Sequence, residues 1–325
     1  MEYMPEFQVL RPTTLDQAMA AMGENPEARY VAGGTDLIVN IRRGIAAPQT
    51  LIDLADITDL NRIEPTADGG LRIGAGVTLN DLIGDQIIDS GFTAIAEAAA
   101  QVAAPTHRNM ATVGGNLCLD TRCVYFNQSQ WWRNANDYCL KHQGTVCHVA
   151  PSGSFCFAAF SGDLAPALLV FAARIEIIGP GGARTIPLSD LYQDDGAAHL
   201  LLGRGELITA VLLPAAHNIK SGYEKARIRQ SIDFPLAGVA MALDTDLGSI
   251  SVALTGLNSC PLLVQGTASL TTSRHDMDAL VKLIGKQIQP MSSTLTPPGY
   301  RRKVAANLTR ALAGRLCQGS RQWGG

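Results

Sequence analysis

The chain has 325 residues, 46% hydrophobic and 17% charged, enough apolar material for two or three ordinary cores. Its formal net charge of −3, without long Lys or Arg runs, argues against a nucleic-acid footprint, and its longest apolar stretches, residues 165–173 and 210–216, are too short to span a bilayer. Small molecules or other proteins are the expected partners, and residues 1–6, with neither a basic nor an apolar run, are not expected to act as a secretory leader.

Strands and helices alternate from the start. Residues 7–10 read as a strand, and Thr14 with Gln17 fits a capping box that opens a helix running to about Met22. A strand over 28–32 runs into Gly33-Gly34, residues 36–43 have helical spacing, and 50–54 form another strand. After a polar turn at 67–70 come a strand over 71–73 and helices near 78–83 and 92–102. Residues 161–173 are strongly apolar, 175–178 with the turn 179–182 read as a hairpin arm, and 207–213 as a strand. Past a boundary near 214–221, strands over 223–228, 237–243 and 250–254 precede helices near 276–284 and 298–316. The expected fold class is α+β, with one domain over 1–217 and a smaller α+β domain over 218–325.

Two glycine pairs each follow an apolar segment, and the first ends a strand and opens a helix. In Ala32-Gly33-Gly34-Thr35-Asp36 the backbone N–H groups are placed to converge on a phosphate, helped by the helix dipole; the GxGxxG spacing of a dinucleotide fold is absent, and a glycine pair at a turn is often only a turn. Thr112-Val113-Gly114-Gly115-Asn116 repeats the arrangement. Two such loops together point to a pyrophosphate between them, hence a nucleotide or flavin.

Five of the seven cysteines follow within residues 118–156, and four obey Cys123-x15-Cys139-x7-Cys147-x8-Cys156. Four thiolates suit tetrahedral zinc or an iron–sulfur cluster. Structural zinc sites usually gather close CxxC pairs, absent here, whereas a cubane is a larger body that scattered ligands can surround. Disulfides are the third reading and require an oxidising compartment. Trp131, Trp132, Tyr138, His142 and His148 lie in the same stretch, where the tryptophan pair either shields a metal centre or anchors the loop. No HExxH, GxSxG or Ser/His/Asp set stands out, so no catalytic residue is expected.

The order Tyr30-Val31-Ala32-Gly33-Gly34-Thr35-Asp36-Leu37, Ala111-Thr112-Val113-Gly114-Gly115-Asn116-Leu117 and Ser161-Gly162-Asp163-Leu164-Ala165-Pro166 resembles the FAD-binding subunit of the molybdenum hydroxylase (xanthine dehydrogenase) family. Glu206-Leu207-Ile208 with Pro214, and Lys225-Ala226-Arg227 with Asp233, extend the resemblance towards the C-terminus. It implies a two-part FAD-binding domain of the vanillyl-alcohol-oxidase (PCMH) type, then a domain like that of CO-dehydrogenase flavoproteins. Tyr30, Val31, Ala32, Gly33, Gly34, Thr35, Asp36 and Leu37 with Thr112, Val113, Gly114, Gly115 and Asn116 would hold the FAD pyrophosphate. Asp163 would bind sugar or ribityl hydroxyls, Ile208 and Lys225 would flank the flavin, and Val102 matches a further contact. Without the resemblance, Lys225 reads as a solvated strand lysine, Asp163 as a helix N-cap, and Val102 and Ile208 as core.

In most members the glycine-asparagine loop reaches the counterpart of Asp163 within about ten residues; here residues 118–160 intervene. This insertion resembles that of the 4-hydroxybenzoyl-CoA reductase branch, which carries an extra [4Fe-4S] cluster, implying Cys123, Cys139, Cys147 and Cys156 as ligands. Cys118, Cys260 and Cys317 are expected to be structural. The resemblance further implies a large molybdenum-cofactor subunit, a small subunit with two [2Fe-2S] clusters, reduced ferredoxin as donor, a dimer of heterotrimers, a cytoplasmic location, and reductive dehydroxylation of 4-hydroxybenzoyl-CoA to benzoyl-CoA.

Overall fold

Short apolar strands and side-chain-capped helices build three sheets in the computed structural model, which describes residues 4–229, 232–267 and 274–317. Residues 1–3 of the segment weighed as a leader lie outside the described residues. The first sheet is parallel, with β1 (Gln8–Leu10), β2 (Arg29–Val31) and β3 (Thr50–Asp53) in the order β1-β3-β2. Parallel neighbours need crossovers, supplied here by α1 (Leu15–Glu24) and α2 (Leu37–Arg42). Thr14 caps α1 by accepting the Gln17 N–H at 3.2 Å, but the expected reciprocal bond is displaced by one residue: Gln17 Oε1 accepts from the N–H of Thr13 at 2.8 Å.

The second sheet is antiparallel throughout, with β4 (Ile63–Pro65), β5 (Leu71–Gly74), β6 (Arg174–Gly179), β7 (Gly182–Pro187) and β8 (Leu207–Leu213) in the order β4-β5-β8-β6-β7. Pairing of β5 with β8 brings together segments that flank the cysteine-rich stretch, so that stretch is an excursion from a closed scaffold. Seven short helices fill the gap between β5 and β6: α3 (Leu79–Gly84), α4 (Gln86–Gly91), α5 (Thr93–Ala100), α6 (Pro105–Arg108), α7 (Val113–Leu117), α8 (Gln130–Ala135) and α9 (Leu164–Leu169). Side chains of Thr78, Asp85, Thr112 and Ser129 cap four of them. The sequence reading missed β4, α4, α6 and α8; each has six residues or fewer, too few to display a period. Every residue of α9 is buried, which is why 161–173 looked uniformly apolar.

The third sheet places β9 (Ile219–Ala226), β10 (Ala237–Asp244), β11 (Ile250–Thr255) and β12 (Leu262–Leu263) in the antiparallel order β12-β11-β10-β9. Two helices, α10 (Arg274–Gln287) and α11 (Pro298–Cys317), complete this part. Alternation along β10 explains its near-continuous apolar run. Val239, Met241 and Leu243 share a core with Leu280 and Leu312, while Ala240 and Ala242 turn the other way into the main core with Phe171 and Leu168. A sheet covered on both faces has no polar side to show. The architecture is the α+β arrangement expected, and no helix among the described residues is long and apolar enough to cross a membrane.

Candidate cofactor sites

The two glycine loops, 80 residues apart, meet through their backbones. A Cβ built on Gly33 would lie 1.7 Å from the carbonyl oxygen of Met110, so only glycine permits this approach. Gly34 has φ +69°, the left-handed conformation that turns the chain from β2 into α2. Among the described residues, none accepts a hydrogen bond from the N–H groups of Gly33, Gly34 or Thr35. The second loop differs from expectation. Its donors are spent inside the fold: Val113 donates to Val77 O at 3.0 Å, Gly114 to Ala75 O at 2.8 Å, and Gly115 to Thr112 Oγ1 at 3.1 Å.

The third motif is tied to the second loop. Asn116 Oδ1 accepts from the Leu164 N–H at 3.1 Å, tying α7 to the start of α9. Asp163 is buried beside it, at the N-cap position of α9 without making a side-chain cap bond. Its carboxylate instead accepts from Tyr223 Oη at 2.6 Å and from Lys225 Nζ at 3.0 Å. Lys225 is therefore no solvated strand lysine: its side chain is 1% exposed, and it also donates to Gln101 O at 3.0 Å. Burial raises the Asp163 pKa, with Lys225 opposing the rise, and pushes Tyr223 well above the ordinary phenol value. The sequence reading missed Tyr223, whose hydroxyl has room only because residue 238 is glycine: a Cβ there would lie 2.2 Å from it.

The remaining candidates are placed less uniformly. Val31 and Leu37 pack with Ile41 and Leu51. Tyr30 turns away from the loop junction, its hydroxyl donating to Gly205 O at 3.2 Å and its pKa raised to about 12 by burial. Ile208 lies in the main core and Val102 packs against it. Ala32 and Thr35 are half-buried, and Asp36 accepts from Asn40 at 3.1 Å and pairs with Arg122.

Arg122 opens the cysteine-bearing excursion, whose neck is closed by Arg122 N–H to Ala159 O at 2.7 Å and Ala159 N–H to Arg122 O at 2.8 Å. Beyond it, Cys123, Cys139, Cys147 and Cys156 line one small cavity of about 10 Å³ with Tyr125, Phe126, Lys141 and His148. Among the described residues no disulfide joins Cys123, Cys139, Cys147 and Cys156 to one another or to Cys118 or Cys260. Burial raises the Cys123 thiol, with Cys139 and Cys147 adding to the rise. It carries Cys156 to about 12, with Lys141 opposing and Cys147 and Cys123 reinforcing. Backbone N–H groups already point at two of the sulfurs: Ala158 N–H lies 3.4 Å from Cys156 Sγ, and Cys123 receives those of Tyr125 and Phe126. Among the described residues, no group of three or more His, Cys, Asp or Glu is placed to hold a single metal ion.

Cys118 stands apart, packed against the main core with its thiol raised to about 12 by burial. Cys260 packs on the same core and Cys317 lies in that of the third sheet, as structural side chains do. The tryptophans part company. Trp132 tilts against Tyr125 at 6.3 Å, but Trp131 is 78% exposed and neither shields the cavity nor anchors the loop. His142 meets the edges of Phe126 and Tyr138, and His148 tilts against Tyr125 at 5.6 Å.

This arrangement of glycine loops on a parallel three-stranded sheet and a five-stranded antiparallel one has counterparts among known proteins. Residues 5–216 match the FAD binding domain in molybdopterin dehydrogenase. The aldehyde oxidoreductase FAD-binding subunit PaoB of Escherichia coli is 35% identical over 271 residues, covering 81% of this chain and 85% of that protein. The carbon monoxide dehydrogenase medium chain of Afipia carboxidovorans is 28% identical, covering 94% of each. The solved structure of reconstituted CO dehydrogenase from Oligotropha carboxidovorans superposes with a TM-score of 0.79 at 26% identity, over 97% of this chain and 98% of that one. The chain belongs to the family of FAD-binding medium subunits of molybdenum hydroxylases.

Proposed function

We propose that this chain is an electron-transferring flavin subunit whose excursion holds a [4Fe-4S] cluster on Cys123, Cys139, Cys147 and Cys156. The observation that carries the reading is the meeting of these four cysteines around one cavity, with backbone N–H groups directed at Cys123 and Cys156. Soft thiolate donors in that number fit iron–sulfur chemistry. A zinc ion would draw four sulfurs to about 2.3 Å, and the described residues offer no such single-ion grouping. The cavity is about 10 Å³, so the side chains must draw back to admit a cubane. Bound there, a cluster supplies one-electron transfer to a flavin able to hold one electron or two.

FAD is assigned to the junction of the glycine loops, in a domain spanning 1–217, with 218–325 as the C-terminal domain. The free N–H groups of Gly33, Gly34 and Thr35 serve as the pyrophosphate donors, while Thr112 to Asn116 form the opposite wall and contribute shape. Asp163, held by Tyr223 and Lys225, would bind the cofactor's hydroxyls, with Val102 and Ile208 as apolar flanks.

Substrate chemistry belongs to a large molybdenum-cofactor partner, reached through a small [2Fe-2S] subunit. Two substrates have specific support. The cysteine excursion favours 4-hydroxybenzoyl-CoA, reduced to benzoyl-CoA and water with electrons entering from ferredoxin. The 35% identity to an aldehyde oxidoreductase subunit favours an aldehyde, with electrons leaving through this chain.

The test is iron, acid-labile sulfide, zinc and FAD analysis of the anaerobically purified complex, followed by turnover with each substrate. Iron and sulfide in a four-to-one ratio with FAD are expected. FAD with zinc, or with no metal, removes the cluster. Aldehyde oxidation without ferredoxin-driven reduction of the thioester decides for the second substrate.

A further inference from the structure

We infer that Arg133, with Lys141 beside it, is a built-in counter-charge for the cysteine cavity and raises the reduction potential of the metal centre held there. The inference rests on reading that cavity as a [4Fe-4S] site. Its starting point is an anomaly. Arg133 is 2% exposed, yet among the described residues its guanidinium makes one hydrogen bond, from Nη2 to Gly44 O at 2.8 Å, and its buried Nε and Nη1 have no partner. No carboxylate among the described residues pairs with it. A buried, unpaired guanidinium is costly and cannot escape by losing its proton at ordinary pH.

The groups around it show where the missing anion belongs. Phe126 lines the cavity, and both cations approach Phe126: Arg133 Cζ at 5.7 Å and Lys141 Nζ at 4.7 Å from the ring centroid. The ionisable groups facing Arg133 are Cys139, Tyr138 and His142; none is a carboxylate, and Cys139 is one of the four cavity thiols. Lys141 is already engaged, with its amine on Asp120 at 2.7 Å and on Thr121. Arg133 has no such anion, so it carries the larger share of the role.

Four thiolates around an iron–sulfur core leave a net negative charge, and reduction adds one electron and no proton. A fixed buried cation favours the reduced state over the oxidised one, which raises the potential. This explains why a cation is kept at a place where the described residues give it no anionic partner.

The experiment compares the anaerobically purified complex carrying the wild-type chain, Arg133→Met, Arg133→Lys and, as a control of equal charge change at an exposed position, Lys220→Met. Iron and sulfide are measured, and each protein is titrated with dithionite under mediators while the reduced cluster's electron paramagnetic resonance signal is followed. Arg133→Met should keep the apolar stem and lower the one-electron reduction constant at least tenfold, a shift of 59 mV or more to negative potential. Arg133→Lys should stay within threefold of wild type, and Lys220→Met should not move. Iron lost from Arg133→Met but kept in Arg133→Lys also supports the inference, because the two differ chiefly in charge. Full iron with an unchanged potential in Arg133→Met overturns it, as does iron lost from both Arg133 variants, the mark of a packing role. A wild-type complex without iron overturns the cluster reading itself, which separates the two failures.

Discussion

Replacing Lys225 with Met removes the ammonium that holds Asp163 Oδ2 at 3.0 Å, where the two side chains are only 1% and 5% exposed. Breaking a buried pair from one side costs about 3–5 kcal/mol, because the orphaned carboxylate stays out of water. For a chain of this length that corresponds to a loss of about 6 °C in melting temperature. The deficit should depend on pH in a definite direction. Burial already raises the Asp163 pKa, and loss of Lys225 raises it further. Between the unfolded value of 3.8 and that raised native value, the folded variant binds a proton the unfolded chain does not. Its stability relative to wild type therefore recovers as pH falls through the native pKa, and the deficit is greatest above it. The double variant Lys225→Met, Asp163→Leu should regain most of the loss, since no buried charge is left uncompensated. The assay is thermal unfolding by far-ultraviolet circular dichroism on FAD-free protein, so that cofactor linkage does not enter. A melting temperature within about 1 °C of wild type, or a double variant no better than the single one, refutes the reasoning.

Gly33→Ala places a Cβ 1.7 Å from a backbone oxygen that cannot rotate aside, so the glycine loops must part and FAD content should fall at least tenfold; Gly23→Ala in α1, with nothing within 4 Å, should instead add about 0.5–1 kcal/mol of stability by equilibrium unfolding. Glu206→Gln removes the charge and one of the two acceptors that bind Arg184 at 2.8 Å, and the Arg184 side chain is 40% exposed, so the cost at neutral pH should stay below about 1 kcal/mol. Arg184 lowers the Glu206 pKa, so wild type holds this advantage above the ordinary value of 4.5 and loses it as pH falls through the native pKa; a variant equally impaired in strong acid would contradict the sign. Cys139→Ser should abolish bound iron by chemical analysis while Cys118→Ser leaves it intact, because Cys118 packs on the main core instead of lining the cavity.

What the sequence displayed and what it hid follow from the range of the interactions. Strands such as 207–213 were legible because apolar β-rich runs mark burial locally, and β8 has those bounds. The glycine pairs and the cysteine spacing were legible as chemistry. Their meeting was not: nothing near Gly33 announces that Met110 O will sit against it. Tyr223 was invisible for the same reason, its role being set by Asp163 across 60 residues and by the space above Gly238. That the N–H groups of residues 113–116 would be engaged inside the fold was equally hidden, because α7 docks on residues 75–77 by the donors of its own first turn.

The relation between the two candidate centres is the part that only the fold could supply. By sequence the cysteine stretch and the flavin loops look like separate elements. Yet Arg122, the neighbour of Cys123, pairs with Asp36 of the first glycine loop and stacks over Phe234 at 4.5 Å. The neck that places it is held by paired main-chain bonds to Ala159, which do not depend on any cysteine ligand. Replacing a cavity cysteine should therefore leave Arg122 on Asp36 and the glycine loops in place, whereas removing the Arg122 charge should disturb the first glycine loop directly. The excursion is anchored to the first glycine loop by an ion pair, so on the proposed reading each centre is expected to empty without unmaking the other.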